Sequence, residues 1–158
     1  MQNSFLKRVV RSFAEERVRY ALCGGYAVTL HGAMRATFDV DFVLSWSEEN
    51  FQRAERALVS LQLLSKLPVS AVEVFRFREE YLTQRNLIAW SFYNPASPVE
   101  LVDLILTHNL DDLRAESKLI AGTRISLLSR DALIEMKKST GRPQDVEDIR
   151  ALQKLELL

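Results

Sequence analysis

Apolar residues recur at helical spacing in the first half of the chain. Residues 3–18 place Val9 and Phe13 on one face of a helix, whose opposite face is charged. A short helix is predicted over residues 26–32, and a longer one over residues 47–64. These three segments predict amphipathic helices that pack against a shared core.

Serine, glycine and proline mark the expected ends of the longer helices. The long central helix starts at Ser45 or Ser47, since either side chain could cap its first turn. Near the end of the chain, Ser129 is placed to cap a helix and Gly141 to end it. Pro143 then suits the first turn of a last helix. Two C-terminal helices are therefore expected.

Short runs of Val, Ile, Leu and aromatic residues predict β-strands between the helices. The strands are expected over residues 20–23, 39–45, 87–93, 99–106 and 124–127. A proline-containing turn over residues 94–98 indicates that two of them form an antiparallel hairpin. Residues 67–81 mix apolar and charged positions and are interpreted as an exposed edge strand or a loop. This order predicts an α+β (mixed α/β) fold, with a central mixed sheet flanked by helices, in a single domain over residues 1–158.

The composition is that of a folded globular protein and narrows the function. The 158 residues are 47% apolar and 27% charged, and 21 Lys and Arg balance 21 Asp and Glu. The zero net charge excludes a basic field over the whole surface, although local basic patches remain open. No apolar run reaches the roughly 18 residues of a membrane span. The single cysteine, Cys23, and the charged N-terminus favour a cytoplasmic protein with no membrane partner.

Two aspartates lie two positions apart on the strand predicted over residues 39–45. Because side chains alternate across a strand, Asp39 and Asp41 leave the same face. Two carboxylates held this close repel each other, and Mg²⁺ prefers such oxygen ligands. The alternative is an exposed strand face without a ligand. Gly24 and Gly25 favour a site, because they follow a strand and open a helix, where backbone N–H groups can approach a phosphate.

A third carboxylate interrupts an apolar row on a later strand. Along residues 99–106, Leu101, Asp103 and Ile105 share one face. A buried acid needs a partner or a metal ion. Taken alone, Asp103 is explained equally well by a salt bridge to an arginine. The pair of aspartates upstream favours a metal site to which all three carboxylates contribute.

The glycine pair and the aspartates resemble the signature of the nucleotidyltransferase superfamily, which includes DNA polymerase beta and kanamycin nucleotidyltransferase. Here the signature consists of Cys23-Gly24-Gly25, thirteen further residues, and Asp39-Val40-Asp41. The string GAMRATFDVD and the ending ALIEMKKSTGRPQDVEDIRALQKL are similar to the abortive-infection toxin-like subgroup of minimal nucleotidyltransferases. The resemblance covers residues 20–45, 99–106 and 129–155.

The resemblance implies a nucleoside triphosphate substrate and two Mg²⁺ ions. Asp39, Asp41 and Asp103 would be the catalytic carboxylates and the metal ligands. Gly24 and Gly25 would bind the triphosphate through backbone N–H groups. The expected fold is a small nucleotidyltransferase fold that ends in two helices.

Two cations are candidate phosphate clamps. Arg35 lies between the short helix and the aspartate strand, so it could reach a phosphate. Lys137 lies on the first of the two C-terminal helices, and the subgroup resemblance favours a nucleotide contact for it. The alternative for each is a solvated surface side chain.

The function implied by the resemblance is Mg²⁺-dependent transfer of a nucleoside monophosphate to a hydroxyl group. The acceptor would be a transfer RNA, a protein or a small molecule. Members of the subgroup are toxins paired with an antitoxin, so an antitoxin partner is an expectation. The alternative is a non-catalytic nucleotide-binding or antitoxin-like module of the same fold. Hydrolysis of phosphate esters uses similar carboxylates but gains no support from the glycine spacing.

The last helix carries both apolar and charged positions. Four apolar residues at helical spacing are expected to face the core: Val146, Ile149, Leu152 and Leu155. Arg142, Asp145 and Asp148 are expected to form a charge network that joins the last two helices. Of the two histidines, His31 is expected in the core and His108 at the surface.

Overall fold

The computed structural model describes residues 3–155 and is built around a mixed β-sheet. Its seven strands are β1 (Tyr20–Cys23), β2 (Val40–Leu44), β3 (Leu64–Ser65), β4 (Ala89–Asn94), β5 (Ser97–Ile105), β6 (Ala115–Ile120) and β7 (Thr123–Leu128). They lie in the order β3-β4-β5-β2-β1-β7-β6. The β2–β5 and β1–β7 pairs are parallel, and the other neighbouring pairs are antiparallel.

Seven α-helices flank this sheet within the described residues. They are α1 (Asn3–Glu15), α2 (Gly24–Leu30), α3 (Glu48–Ser60), α4 (Ala71–Arg76), α5 (Arg78–Gln84), α6 (Arg130–Thr140) and α7 (Pro143–Lys154). A short 3₁₀ helix covers Leu110–Asp112. In the described part of the chain, no helix combines the length and the apolar character needed to cross a membrane. The α+β prediction, with two helices at the C-terminus, is confirmed.

One face of the sheet carries the main hydrophobic core. Phe42 on β2 packs its ring 4.9 Å from the ring of Phe13 on α1 and 5.4 Å from that of Tyr20. Trp90 and Phe92 on β4 are fully buried, with ring centroids 4.7 Å apart. Helices α1 and α3 cover this face and contact each other. Burial of these aromatic groups, together with the aliphatic side chains of the core, drives the packing of the helices on the sheet.

The opposite face of the sheet is only partly covered. Helix α2 contacts β1 and β2, and α6 and α7 pack beside it. Because side chains alternate, Cys23, Asp41 and Asp103 project from this face while their neighbours in the chain project into the main core. The uncovered part of this face, over β2, β5 and β4, leaves room for a cleft.

The predicted caps of α3 and α6 and the predicted start of α7 are confirmed, but α3 ends at Ser60 rather than at residue 64. The Ser47 hydroxyl caps α3 by accepting a hydrogen bond from the Asn50 N–H at 3.0 Å, so Ser47 rather than Ser45 is the cap. The Ser129 hydroxyl caps α6 in the same way. Gly141 ends α6 with a left-handed φ of 61°, and Pro143 begins α7.

The interpretation of residues 67–81 as an edge strand or a loop is wrong. This segment contains α4 and the start of α5. Ser70 and Glu73 form a capping box in which each side chain accepts a hydrogen bond from the other's backbone N–H. Ala71 and Val74, three residues apart, are the buried positions of α4. The edge strand on this side of the sheet is instead the two-residue strand β3, which precedes this segment in the chain.

Other elements also differ from the sequence predictions: the bounds of β2, β4 and β5 shift by one or two residues, one strand was not predicted, and one helix starts earlier. The strand predicted over residues 124–127 is β7. Its partner strand β6 was not predicted, because most residues of β6 are polar and exposed. Helix α2 begins at Gly24 rather than residue 26, so the glycine pair forms its first turn.

The apolar stripe predicted for α7 is only partly correct. Leu152 is fully buried, but Val146 is 42% exposed. Asp145 and Asp148 occupy the buried positions of the helix instead. The sequence pattern failed here because charged residues are buried in pairs with cations from other elements.

The β6–β7 turn contains a strained alanine. Ala121 has a φ of 45° and Gly122 a φ of 83°, the pair of positive values that a two-residue hairpin turn requires. A residue other than glycine lowers stability by roughly 1 kcal/mol or more in this conformation. We predict that Ala121→Gly raises the free energy of unfolding by about 0.5–1 kcal/mol.

Chemical denaturation measures this change in the free energy of unfolding. Ala96→Gly, in the turn of the β4–β5 hairpin, is the matched control. Ala96 has no positive φ, so a glycine there should destabilise the protein slightly by adding entropy to the unfolded chain. Equal effects of the two substitutions would contradict the assignment of strain to Ala121.

Candidate active site

All seven residues predicted to form the site line one cleft. They are Gly24, Gly25, Arg35, Asp39, Asp41, Asp103 and Lys137. The cleft opens on the partly covered face of the sheet, between the ends of β1, β2 and β5 and the helices α6 and α7. The structure therefore brings these residues together from five separate segments, while their chemical roles stay predictions.

Two of the three aspartates are neighbours on adjacent parallel strands. Asp41 on β2 lies directly opposite Asp103 on β5, so both carboxyl groups leave the same face of the sheet. Asp39 lies two residues before Asp41, at the exposed rim of the cleft. Strand pairing therefore fixes Asp41 next to Asp103, and the start of β2 places Asp39 nearby at the rim of the cleft.

The environment of Asp41 disfavours its ionised form. Burial and the charges of Asp103 and Asp39 raise the pKa of Asp41 to about 7, and a hydrogen bond to Asp103 adds to the shift. The positive charge of Lys137 opposes it. Burial and the charge of Asp103 also raise the pKa of Asp39. This is an acidic site with a surplus of negative charge at its centre.

The donor set fits a magnesium ion in its chemistry. Three carboxylates offer the hard oxygen atoms that Mg²⁺ prefers, and burial with the like charges of Asp103 and Asp39 raises the pKa of Asp41 although Lys137 is nearby. As the side chains stand within residues 3–155, no group of three or more His, Cys, Asp or Glu is close enough together to hold a metal ion. Asp41 and Asp103 instead share a hydrogen bond.

The first glycine of the pair lies directly against Asp41, and the second lies against Thr37. Gly24 has a left-handed φ of 68°, and a Cβ at this position would overlap Asp41 Oδ2. A Cβ on Gly25 would lie 2.8 Å from the Cβ of Thr37, which is also too close. Only glycine therefore allows the first turn of α2 to approach the carboxylate. The side chain of Thr37 therefore packs directly against the glycine turn.

The two candidate clamps are both held by one buried acid. Arg35 Nε donates a hydrogen bond to Asp148 Oδ1 at 3.0 Å, and Lys137 Nζ donates to Asp148 Oδ2 at 2.9 Å. The Lys137 side chain is only 7% exposed. Neither cation is a solvated surface side chain, since both are fixed at the cleft wall. Each keeps N–H donors beyond those that Asp148 accepts.

The predicted charge network between the last two helices is confirmed and is larger than expected. Lys137 Nζ also lies 3.7 Å from Asp145 Oδ1, which links the two acids of α7 through one lysine. Arg142 Nε donates to Asp145 Oδ2 at 2.9 Å. Burial opposes the ionisation of Asp145, but hydrogen bonds from Arg142 and Thr140 outweigh it and lower its pKa to about 2. Asp145 is therefore a permanent anion that holds Lys137 and Arg142.

Sequence reasoning missed two polar residues on this face. The Ser91 hydroxyl on β4 donates to Asp103 Oδ1 at 2.5 Å. Lys66, which follows β3, is bonded through its backbone N–H to the Ser91 carbonyl at 2.9 Å. Ser91 could have been found from the hairpin, because it is the residue paired with Asp103 in the β4–β5 register. Lys66 had no such signal, since β3 is two residues long.

The two histidines have different outcomes. His31 is packed as predicted, with Nε2 2.8 Å from the Leu128 carbonyl oxygen. The surface assignment of His108 is wrong, because it is half-buried, lines the cleft and lies 2.7 Å from the Thr107 hydroxyl through Nδ1. Burial lowers the pKa of His108. Cys23 is buried, and burial raises its pKa well above the ordinary value, so it is an inert core thiol.

No protein-family model and no curated protein matches the chain by sequence. Solved structures do match it. The lincosamide antibiotic adenylyltransferase LnuA, bound to lincomycin, has a TM-score of 0.65 at 14% identity and covers 96% of each chain. ANT(2'')-Ia, in complex with adenylyl-2''-tobramycin, has a TM-score of 0.62 at 14% identity, over 99% of this chain and 93% of that chain.

A third match is an antigenic nucleotidyltransferase-like protein from Paracoccidioides brasiliensis. It has a TM-score of 0.60 at 18% identity, over 98% of this chain and 76% of that chain. At these identities the likeness concerns the fold, and the fold is the one that the sequence signature implies. The chain therefore has the nucleotidyltransferase fold.

Proposed function

We propose that this protein is a Mg²⁺-dependent nucleotidyltransferase that moves a nucleoside monophosphate from a nucleoside triphosphate to a hydroxyl group. The observation that carries the proposal is the contact between the Gly24 turn and Asp41, which is itself paired in register with Asp103. A turn of backbone N–H groups, which favours phosphate, directly adjoins a pair of carboxylates, which favours a cation. A triphosphate with its metal ions supplies both the phosphate and the cation.

The chain's own residues have distinct parts in this proposal. Asp39, Asp41 and Asp103 would hold two Mg²⁺ ions, and Gly24 and Gly25 would bind the β- and γ-phosphates. When bound, Mg²⁺ supplies positive charge for the α-phosphate and the departing pyrophosphate. Because burial and like charges raise the pKa of Asp41, the carboxylates lose their proton as cations bind.

The transfer step is an in-line displacement at the α-phosphorus. The acceptor oxygen forms a bond to phosphorus, while the bond from phosphorus to the bridging oxygen breaks. The electron pair leaves with pyrophosphate, and the acceptor's hydroxyl proton passes to Asp103. Arg35 and Lys137, fixed by Asp148, supply N–H donors to the triphosphate from the wall of the cleft that α6 and α7 form beside α2.

The acceptor is the open part of the proposal. Two fold neighbours are an adenylyltransferase for lincosamide antibiotics and a protein bound to an adenylylated tobramycin, which favours a small-molecule hydroxyl for the first assays. Transfer to a tRNA or to a protein, as a cytoplasmic single-domain toxin with an antitoxin partner, follows from the sequence resemblance instead. The alternative is a module of the same fold that binds nucleotide without turnover.

The test is a transfer assay with purified protein. Nucleoside triphosphates labelled at the α-phosphate are incubated with Mg²⁺, the protein and a cell extract fractionated into RNA, protein and small molecules. Transfer of label to one fraction together with pyrophosphate release supports the proposal. Binding of the triphosphate without release supports the module, and release of free phosphate supports ester hydrolysis. Absence of both binding and release overturns the proposal.

Loss of either paired carboxylate should abolish transfer. Asp41→Asn and Asp103→Asn remove a metal ligand without changing side-chain size, so we expect transfer rates to fall by roughly 10³-fold or more. Circular dichroism should show an intact fold for both. Asp112→Asn, at an exposed position on the 3₁₀ helix, is the control and should keep full activity. Full activity of either cleft variant would defeat the assignment.

The raised pKa of Asp41 predicts an unusual pH dependence of stability without metal. The native carboxyl keeps its proton up to about pH 7, whereas an aspartate in the unfolded chain has its ordinary pKa of 3.8. Stability therefore falls as pH rises from about 4 to about 7, and the loss stays constant above that range. We predict that Asp41→Asn is more stable than the wild type at pH 8, by about 1–3 kcal/mol, and equally stable at pH 3.

Thermal or urea unfolding in EDTA checks this prediction. Adding Mg²⁺ at pH 8 should stabilise the wild type and leave Asp41→Asn nearly unchanged, because bound cation relieves the repulsion only where both carboxylates are present. A destabilised Asp41→Asn protein at pH 8 in EDTA would contradict the raised pKa.

Ser91 should act as a positioning residue for Asp103. Its hydroxyl donates to Asp103 Oδ1 at 2.5 Å and so restrains the orientation of the carboxyl group. We predict that Ser91→Ala lowers kcat about tenfold and leaves the Kd for the triphosphate nearly unchanged, because the carboxyl group of Asp103 loses the hydrogen bond that orients it. Ser91→Thr keeps the hydroxyl and should restore kcat. An unchanged kcat in Ser91→Ala would reduce Ser91 to a packing role.

A further inference from the structure

A row of polar side chains crosses the partly covered face of the sheet. Strand pairing places Asp41 opposite Asp103, and Asp103 opposite Ser91. The next position in this row is Lys66, whose backbone N–H donates to the Ser91 carbonyl. Because adjacent strands are about 4.8 Å apart, Lys66 begins roughly 10 Å from Asp103 along the row.

The side chain of Lys66 belongs to the cleft face. Its neighbour Ser65 faces the main core, where the Ser65 hydroxyl accepts a hydrogen bond from Trp90 Nε1 at 2.9 Å. Alternation along the strand therefore directs Lys66 to the opposite face, with Asp103 and Ser91. The charge of Lys66 reaches the cleft, since burial and Asp103 raise the pKa of Asp39 while Lys66 opposes this shift.

Lys66 differs from the other cations of the site in having no acidic partner. Arg35, Lys137 and Arg142 each form an ion pair with an aspartate of α7. For Lys66, which is exposed, no carboxylate of the described residues lies within 4.0 Å of its ammonium group. An ammonium group without a partner, beside a proposed phosphoryl-transfer site, is available to a ligand anion.

Lys66 also lies on the other side of the carboxylates from these cations. The glycine turn, Arg35 and Lys137 flank the β1 side of Asp41, whereas Lys66 lies beyond Asp103 toward the β3 edge. In-line displacement requires the leaving pyrophosphate and the attacking hydroxyl to lie on opposite sides of the α-phosphorus. With the pyrophosphate at the glycine turn, the β3 side is the acceptor side.

We propose that Lys66 binds a phosphate group carried by the acceptor, close to the hydroxyl that is modified. The argument rests on the proposed function, because it needs the triphosphate at the glycine turn. It adds the chemical class of the acceptor, a phosphorylated alcohol. The competing role for Lys66 is a counter-charge for Asp39 that touches no substrate.

The experiment first saturates the protein with Mg²⁺ and α,β-methylene-ATP, which cannot transfer its nucleotide. Binding is followed by backbone amide NMR. Glycerol 3-phosphate and glycerol, a matched pair with and without phosphate, are then titrated. We expect saturable shifts at Lys66 and Ser91 with glycerol 3-phosphate and none with glycerol. Lys66→Met should weaken glycerol 3-phosphate about tenfold, as expected for one charge-assisted hydrogen bond.

Lys154→Met, at an exposed position on α7, is the control and should bind glycerol 3-phosphate like the wild type. The inference is overturned if glycerol 3-phosphate binds equally well to Lys66→Met, or if it shifts no amide near Lys66. Weaker binding of the ATP analogue itself to Lys66→Met would assign Lys66 to the nucleotide instead. Tighter Mg²⁺ binding with unchanged glycerol 3-phosphate binding would show the counter-charge role. Failure of the wild type to bind the analogue at all would defeat the proposed function.

Discussion

The cleft depends on two like charges that the sheet forces together. Parallel pairing of β2 with β5 places Asp41 opposite Asp103, so the carboxyl groups cannot separate without breaking the central strands. Burial and this repulsion raise the pKa of Asp41 to about 7. Without a bound cation, the repulsion between these two carboxyl groups lowers the free energy of unfolding. The hydrogen bond between them offsets only part of this loss. Strained electrostatics of this kind, held by well-packed strands, are typical of sites that bind a cation.

The two C-terminal helices complete the site by a different use of charge. Here acids and bases are paired, and Asp148 holds both Arg35 and Lys137 through its two oxygens. Buried ion pairs add little net stability, but they fix geometry, because an unpaired partner would be left desolvated. Helix α7 is therefore anchored by salt bridges where an apolar stripe was expected. This anchoring keeps two cations at the cleft wall, on the same side of the carboxylates as the glycine turn.

The sequence predicted those parts of the fold in which local chemistry and tertiary structure agree. The glycine pair, the D-x-D strand and the caps at Ser47 and Ser129 all lie where expected, since each depends on neighbours in the chain. Residues 67–81 were misjudged because two short helices, each near two turns, carry too few apolar positions to show a period. A charge network that includes Asp148 was predicted, but its partners Arg35 and Lys137 were not, because they are more than ten residues away in the chain.

The predicted and the unpredicted parts of the site correspond to two halves of the cleft. The half that would bind the triphosphate is built from local motifs, namely a glycine turn, alternate aspartates and a lysine helix, and a single sequence is enough to predict it. The half beyond Asp103 is built from strand register, which brings Ser91 and Lys66 into one row across β4 and β3. The hairpin register predicts Ser91, but no spacing in the sequence places Lys66 in that row. Under the proposed function, acceptor preference is therefore expected to depend on Lys66, at the outer end of the row, rather than on Ser91, which holds Asp103.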